Sequence, residues 1–86
     1  MKISILNEKL NLKFVKRISK DVVGLYDPDK KEIKILETLS SKDKMDTTIH
    51  ELLHVADYYK DEQWVRTVAT DITDVLWKMG YRKIEE

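Results

Sequence analysis

The 86-residue chain carries 16 Lys and Arg against 16 Asp and Glu, which gives a formal net charge of zero, and it contains no Cys. Proteins that bind nucleic acids or membrane surfaces usually carry an excess of basic residues, so we expect neither a nucleic acid nor a membrane as a partner. The absence of Cys excludes disulfides, thiolate metal sites and a cysteine nucleophile. The length fits a single domain over residues 1–86. We expect a cytoplasmic location, since the start is no secretory signal and no apolar run spans a bilayer; the sequence leaves the oligomeric state open.

The first forty residues alternate apolar and polar side chains, which is typical of half-buried strands. The alternation covers residues 3–5, 10–14, 22–26 and 32–36. The first two runs predict one hairpin, and the turn sequence Asp27-Pro28-Asp29 between the last two predicts another. Gly24 lies inside the third strand, where a close approach of another backbone, a bulge or a merely weakened strand would account for a glycine.

From residue 40 onward the apolar period changes from two to about 3.6 residues, which predicts two helices. Ser40 and Asp43 form a capping signal, so we expect the first helix from about Lys42 to Tyr59. The second should run to Met79, with Gly80 as its C-cap. The expected buried positions are Met45, Ile49, Leu52, Leu53, Ala56 and Tyr59 on the first helix and Val65, Val68, Ala69, Ile72, Val75, Leu76 and Met79 on the second. The order ββββαα predicts an α+β fold, a small and largely antiparallel sheet of about four strands packed on the first helix.

The first predicted helix contains the motif HELLH at residues 50–54. Two histidines four residues apart lie on one face of a helix, so the imidazoles of His50 and His54 can reach one Zn²⁺. Glu51 is rotated by about 100° from His50, where it can act on a metal-activated water as general base without being a ligand itself. The motif therefore predicts zinc-dependent hydrolysis of a carbonyl compound, against the alternative of two ordinary surface histidines.

A catalytic zinc site needs a third protein ligand, which must be a carboxylate because the chain has no other His and no Cys. Asp57, Asp61 and Glu62 are the candidates. Asp57 is better placed to hydrogen-bond an imidazole N–H, and Asp61 is better placed to cap the second helix. Glu62 borders the core face of the second helix, so we expect it to look across at the first helix and to be the third ligand, with Asp57 or Asp61 as the alternatives.

Two further side chains are candidates for stabilising an oxyanion beside the metal. Tyr58 follows the motif on the Glu51 side of its helix, and Arg66 lies one turn past Glu62. The alternatives are an aromatic ring that packs at a helix end and an Arg that pairs with a surface acid.

The chain resembles the small HExxH zincins of the ImmA/IrrE-like peptidase group, especially the short versions common in phage and prophage genomes. The resemblance covers about residues 22–79 and is carried by the segments GLYDPDKKEIKI, TTIHELLHVAD and EQWVRTVATDI. In that family the third ligand is a Glu that opens a segment of the form E-x-x-A-x-x-x-A, here Glu62, Val65 and Ala69. The chain departs from the larger members at Val65 and Arg66, where those commonly carry Ala-Asn.

The resemblance implies a zinc metallopeptidase that hydrolyses a peptide or protein substrate. It implies that His50, His54 and Glu62 bind zinc and that Glu51 is the catalytic base. The alternative is a structural or interaction module of phage origin that binds zinc without catalysis.

Overall fold

The computed structural model describes residues 1–82 of the chain. Its elements in chain order are β1 (Lys2–Ile5), β2 (Glu8–Val15), β3 (Gly24–Asp27), β4 (Glu32–Leu36), α1 (Ser41–Ala56) and α2 (Glu62–Lys78). The predicted α+β class and the four strands are confirmed. Within the described range, neither helix combines the length and the apolar character that a membrane crossing requires.

The four strands form one sheet in the order β1-β2-β4-β3. Both predicted hairpins are present, since β1 pairs antiparallel with β2 and β3 with β4. The hairpins join through β2 and β4, which run parallel from Asn11↔Glu32 to Val15↔Leu36, so the sheet is mixed rather than purely antiparallel. The central strands β2 and β4 carry the buried apolar side chains of the sheet, whereas β3 lies at an edge.

Backbone conformation explains the first hairpin turn, and local hydrogen bonds explain the second. Leu6 and Asn7, the two central residues of the first turn, have positive φ angles of 49° and 65°. A two-residue turn whose twist matches that of a hairpin requires such angles. In the second hairpin the Asp27 carboxylate accepts hydrogen bonds from the backbone N–H groups of Asp29 and Lys30, which is the way an Asp stabilises a turn.

The sheet buries one face against α1. Leu10, Leu12, Ile33 and Ile35 form its buried cluster, and partly buried Leu52 and Val55 of α1 pack against it. Burial of such side chains stabilises the fold by about 1.5–3 kcal/mol each. This interface fixes which side of α1 is turned toward the sheet and therefore where the HELLH motif points.

The first helix begins as predicted and ends earlier. The Ser40 side chain accepts a hydrogen bond from the N–H of Asp43, which confirms the capping signal. The helix ends at Ala56 because the chain turns at Asp57, whose C=O accepts from the N–H of Lys60. The prediction that Tyr59 is buried is wrong, since it lies beyond the helix and is 92% exposed.

The second helix packs along α1, with which it shares its only extensive interface in residues 1–82. Its buried stripe consists of Val65, Ala69 and Thr73. Three residues that the periodicity predicts to be buried, Ile72, Val75 and Met79, are exposed by 39%, 58% and 65%. That part of the prediction is wrong because only the narrow side of α2 that faces α1 is covered.

The ends of α2 follow the sequence signals. Asp61 is the N-cap, and its side chain accepts from the N–H of Trp64. Gly80 has φ 89° just after the helix, and the N–H of Tyr81 closes the end on the C=O of Leu76, which confirms the predicted glycine C-cap.

Candidate metal centre

The HELLH motif lies in the second half of α1 and brings its two imidazoles together. The ring centroids of His50 and His54 are 4.8 Å apart, and their Nε2 atoms are separated by 3.1 Å. Both side chains are 19% exposed. The spacing of four residues therefore produces a pair of converging ring nitrogens that solvent can still reach.

The first residue of α2 completes the cluster. The Oε1 atom of Glu62 lies 2.9 Å from the Nε2 atom of His50, and its Oε2 atom lies 3.0 Å from the Nε2 atom of His54. One ligand atom from each of the three residues lies within 4.8 Å of the others. Glu62 looks across at α1 as expected, because Asp61 ends the interhelical loop and starts α2 beside the motif.

The donor set of this cluster fits a zinc ion. Two imidazole nitrogens and one carboxylate are the three protein ligands of many catalytic zinc sites, in which the fourth position stays open. Zinc bonds of about 2.0–2.1 Å give a tetrahedral edge of about 3.3 Å, close to the 2.9–3.1 Å between these atoms. Since Glu62 is 54% exposed, the open side of the cluster faces solvent.

Glu51 is the one buried residue of α1, with 8% of its surface exposed. The sequence placed it on the polar face of the helix, but β3 covers that position. Burial raises the pKa of Glu51, and the charge of Glu62 raises it further, whereas His54 and the nearby backbone N–H of Tyr26 lower it. The carboxylate is thus partly dehydrated beside the cluster.

Gly24 explains how β3 comes so close to α1. A Cβ atom at this position would lie 2.5 Å from Cγ2 of Thr47 and 3.3 Å from Cγ of Glu51, and the first distance is shorter than any real contact. Of the three explanations for this glycine, the structure supports the close approach, made here by a helix. Without a side chain at Gly24, the backbone of β3 can contact the helix on which Glu51 lies.

The cluster lies in an open cleft of about 670 Å³ between β3, α1 and the start of α2. Tyr58 and Arg66, the two candidates for oxyanion stabilisation, both line this cleft. Tyr58 lies in the turn after α1 rather than on the helix, and its ring meets the Tyr26 ring edge-on at 6.2 Å. The Nη2 atom of Arg66 lies 3.8 Å from Oε1 of Glu62. Their role in catalysis stays a prediction.

The two alternative ligands lie outside the cluster. Asp57 is exposed at the C-cap of α1, and Asp61 uses its carboxylate to cap α2. The three residues that converge in the described part of the chain are His50, His54 and Glu62. A role for Asp57 in orienting an imidazole stays a prediction.

Sequence reasoning missed two features of this cleft. The backbone N–H of Tyr26 lies near Glu51 and lowers its pKa, and no sequence pattern predicts such a contact between distant elements. Asp46 also lines the cleft. Its signal was present, because Asp46 precedes His50 by four residues and so lies on the same helix face.

Comparison with protein-family models, with curated proteins and with solved structures finds no match to this chain. The function is therefore inferred from the geometry of the cluster and the cleft.

Proposed function

We propose that this protein is a zinc-dependent peptidase that cleaves a peptide or protein substrate in the cleft beside β3. One observation carries the proposal: two imidazole nitrogens and a carboxylate converge at 2.9–3.1 Å, beside a second, buried acid, Glu51, that lines the same cleft. A structural zinc site is usually closed by four protein ligands, whereas three ligands and an open cleft are typical of catalysis.

Each residue of the site would have a separate role. His50, His54 and Glu62 would hold the ion, which would act as a Lewis acid that polarises a carbonyl and lowers the pKa of water. Glu51 accepts the proton of the attacking water and returns it to the leaving amine as general base and then acid. The backbone of β3 at Gly24 packs against this side chain. Tyr58 and Arg66 border the cleft from two sides and can donate hydrogen bonds to the oxyanion.

The edge strand β3 offers a place for the substrate main chain. The N–H of Leu36 donates to the C=O of Val23, so alternate residues of β3 face β4. The N–H and C=O of Gly24 and the C=O of Tyr26 therefore face the free edge. An extended peptide that pairs with this edge would run past the metal-binding cluster, a recognition mode that gives affinity through main-chain hydrogen bonds.

We further infer a relationship to the ImmA/IrrE-like zincins. The order of elements supports it: a hairpin with β3, then a helix that carries HExxH, then a Glu that opens the next helix. Zinc is the metal of this proposal because H-E-x-x-H on a helix is typical of zinc metallopeptidases, whereas two imidazoles and one carboxylate alone would also suit Fe(II).

The test compares zinc-loaded wild type with Glu51→Gln. We expect one zinc per chain in both proteins, turnover of peptides from a broad library by the wild type, and a loss of about 10²–10⁴-fold in the variant, because proton transfer contributes that much. Glu8→Gln is the matched control, since Glu8 lies outside the cleft and pairs with Lys31. Full turnover by Glu51→Gln would contradict the role of the base.

The same measurements distinguish the peptidase from the second candidate, a structural or interaction module that binds zinc without catalysis. A wild type that holds one zinc per chain and cleaves no member of the library would favour that module. A wild type that binds no zinc would contradict both functions.

A further inference from the structure

Polar side chains form a regular series of contacts along the seam between α1 and α2. The Nζ atom of Lys42 lies 2.9 Å from Oδ1 of Asp74, and the hydroxyl of Thr70 donates to Oδ2 of Asp46 at 2.9 Å. One turn further along α1 the contacts of His50 and His54 with Glu62 begin. We call this series the polar ladder, formed by Lys42, Asp46, His50 and His54 on α1 and by Asp74, Thr70 and Glu62 on α2.

The ladder follows the antiparallel course of the two helices. Successive members on α1 are four residues apart, and Thr70 precedes Asp74 by four residues and follows Glu62 by eight. Residues at these spacings lie on one face of a helix. The metal-binding cluster is therefore the last part of a longer contact surface, and Asp46 and Thr70 are its neighbours on the two helices.

The buried side chains of α2 include Val65 and Ala69, whose packing sets the approximate position of α2 on α1. A shift of one residue along the helix axis would move Glu62 by about 1.5 Å, whereas zinc–ligand distances tolerate about 0.2 Å. Directional hydrogen bonds add a finer restraint on this position than apolar contact, which is non-directional.

We propose that Asp46 and Thr70 are positioning residues for the metal centre. Their hydrogen bond holds α2 in the position along α1 at which the Glu62 carboxylate meets both histidines. The ion pair between Lys42 and Asp74 adds a second restraint. Both contacts are exposed, so each contributes only a modest stabilisation. This inference rests on the proposed zinc site but not on catalysis.

The test measures zinc affinity by competition with a chromophoric chelator. Thr70→Val removes the donor and keeps the shape of the side chain, and we expect zinc to bind roughly three- to tenfold more weakly. Thr67→Val is the matched control, because Thr67 lies on the same helix and its hydroxyl contacts Gln63 of that helix. Thr70→Ser restores the hydroxyl and should restore the affinity.

A second measurement separates positioning from a general loss of helix packing. In a Glu62→Ala background, Thr70→Val should no longer change zinc affinity, because the hydrogen bond acts through Glu62. A loss of the same size in both backgrounds would overturn the proposal, as would equal affinities of Thr70→Val and the wild type. Urea unfolding of the metal-free variants verifies that they fold. A wild type without zinc affinity would refute the zinc site itself, which is a separate result.

Discussion

A Cβ atom at Gly24 would lie 3.3 Å from Cγ of Glu51 and 3.4 Å from its Oε1 atom, so the backbone of β3 lies directly against this side chain. This contact joins the edge strand of the sheet to the second residue of the HELLH motif. It places the proposed general base between the metal-binding cluster and the strand along which a substrate would lie. Strand and helix can approach this closely only because Gly24 carries no side chain.

Replacing Gly24 tests that close approach. Gly24→Ala would put a Cβ 2.5 Å from Cγ2 of Thr47, so we expect the free energy of unfolding to fall by about 1–3 kcal/mol, measured by urea denaturation. Thr47→Ser removes the clashing methyl group and should recover part of the loss in the double variant. Gly80→Ala is the control, since a Cβ there meets nothing within 4 Å and only the positive φ opposes it. Equal unfolding energies for Gly24→Ala and the wild type would show that α1 and β3 can separate without cost.

Replacing Glu62 tests the third ligand. We expect Glu62→Ala to weaken zinc binding by more than about 100-fold, because the loss of a ligand exceeds the roughly 10–100-fold effect of outer groups. Asp57→Ala should change the affinity by less than that, and a chelator competition titration measures both. If Asp57→Ala lost most of the affinity and Glu62→Ala kept it, Asp57 would be the ligand.

Zinc should stabilise the fold. A ligand at about 100 times its dissociation constant contributes about 2.7 kcal/mol to the native state, which raises Tm by about 10–20 °C for a domain of this size. We expect a chelator to reverse the increase in a thermal melt followed by circular dichroism. The double variant His50→Ala/His54→Ala should melt at one temperature with and without zinc. An unchanged wild-type melt on addition of chelator would argue against an occupied site.

Replacing Thr73 tests how well polar groups are satisfied in the interface between the helices. Thr73 is 1% exposed, and its Oγ1 atom has no hydrogen-bond partner within the described residues. Since an unsatisfied buried polar group costs about 1–3 kcal/mol, Thr73→Val should raise the free energy of unfolding by about 1 kcal/mol in urea denaturation. Thr67→Val, on the exposed side of α2, should stay within about 0.5 kcal/mol of the wild type. A less stable Thr73→Val would mean that the hydroxyl makes a favourable contact.

The local features of this protein follow from residues that are close together in the chain. The HELLH spacing aligned His50 with His54, Ser40 and Asp61 capped the two helices, and Asp27 stabilised the hairpin turn. These features depend on hydrogen bonds and side-chain periodicity within a few residues, so they can be read from the chain order alone.

Packing between distant elements sets which surfaces are covered and which side chains meet across the cleft. We predicted Glu51 on a polar face, Tyr59 in the core and a largely antiparallel sheet, whereas β3 buries Glu51, the chain turns before Tyr59, and β2 pairs parallel with β4. Periodicity shows that a helix has an apolar side, but the width of the covered stripe depends on what packs there. Periodicity likewise indicated that Glu62 looks across at α1, but it left Asp57 and Asp61 open as ligands, because the choice among them depends on how α2 lies along α1.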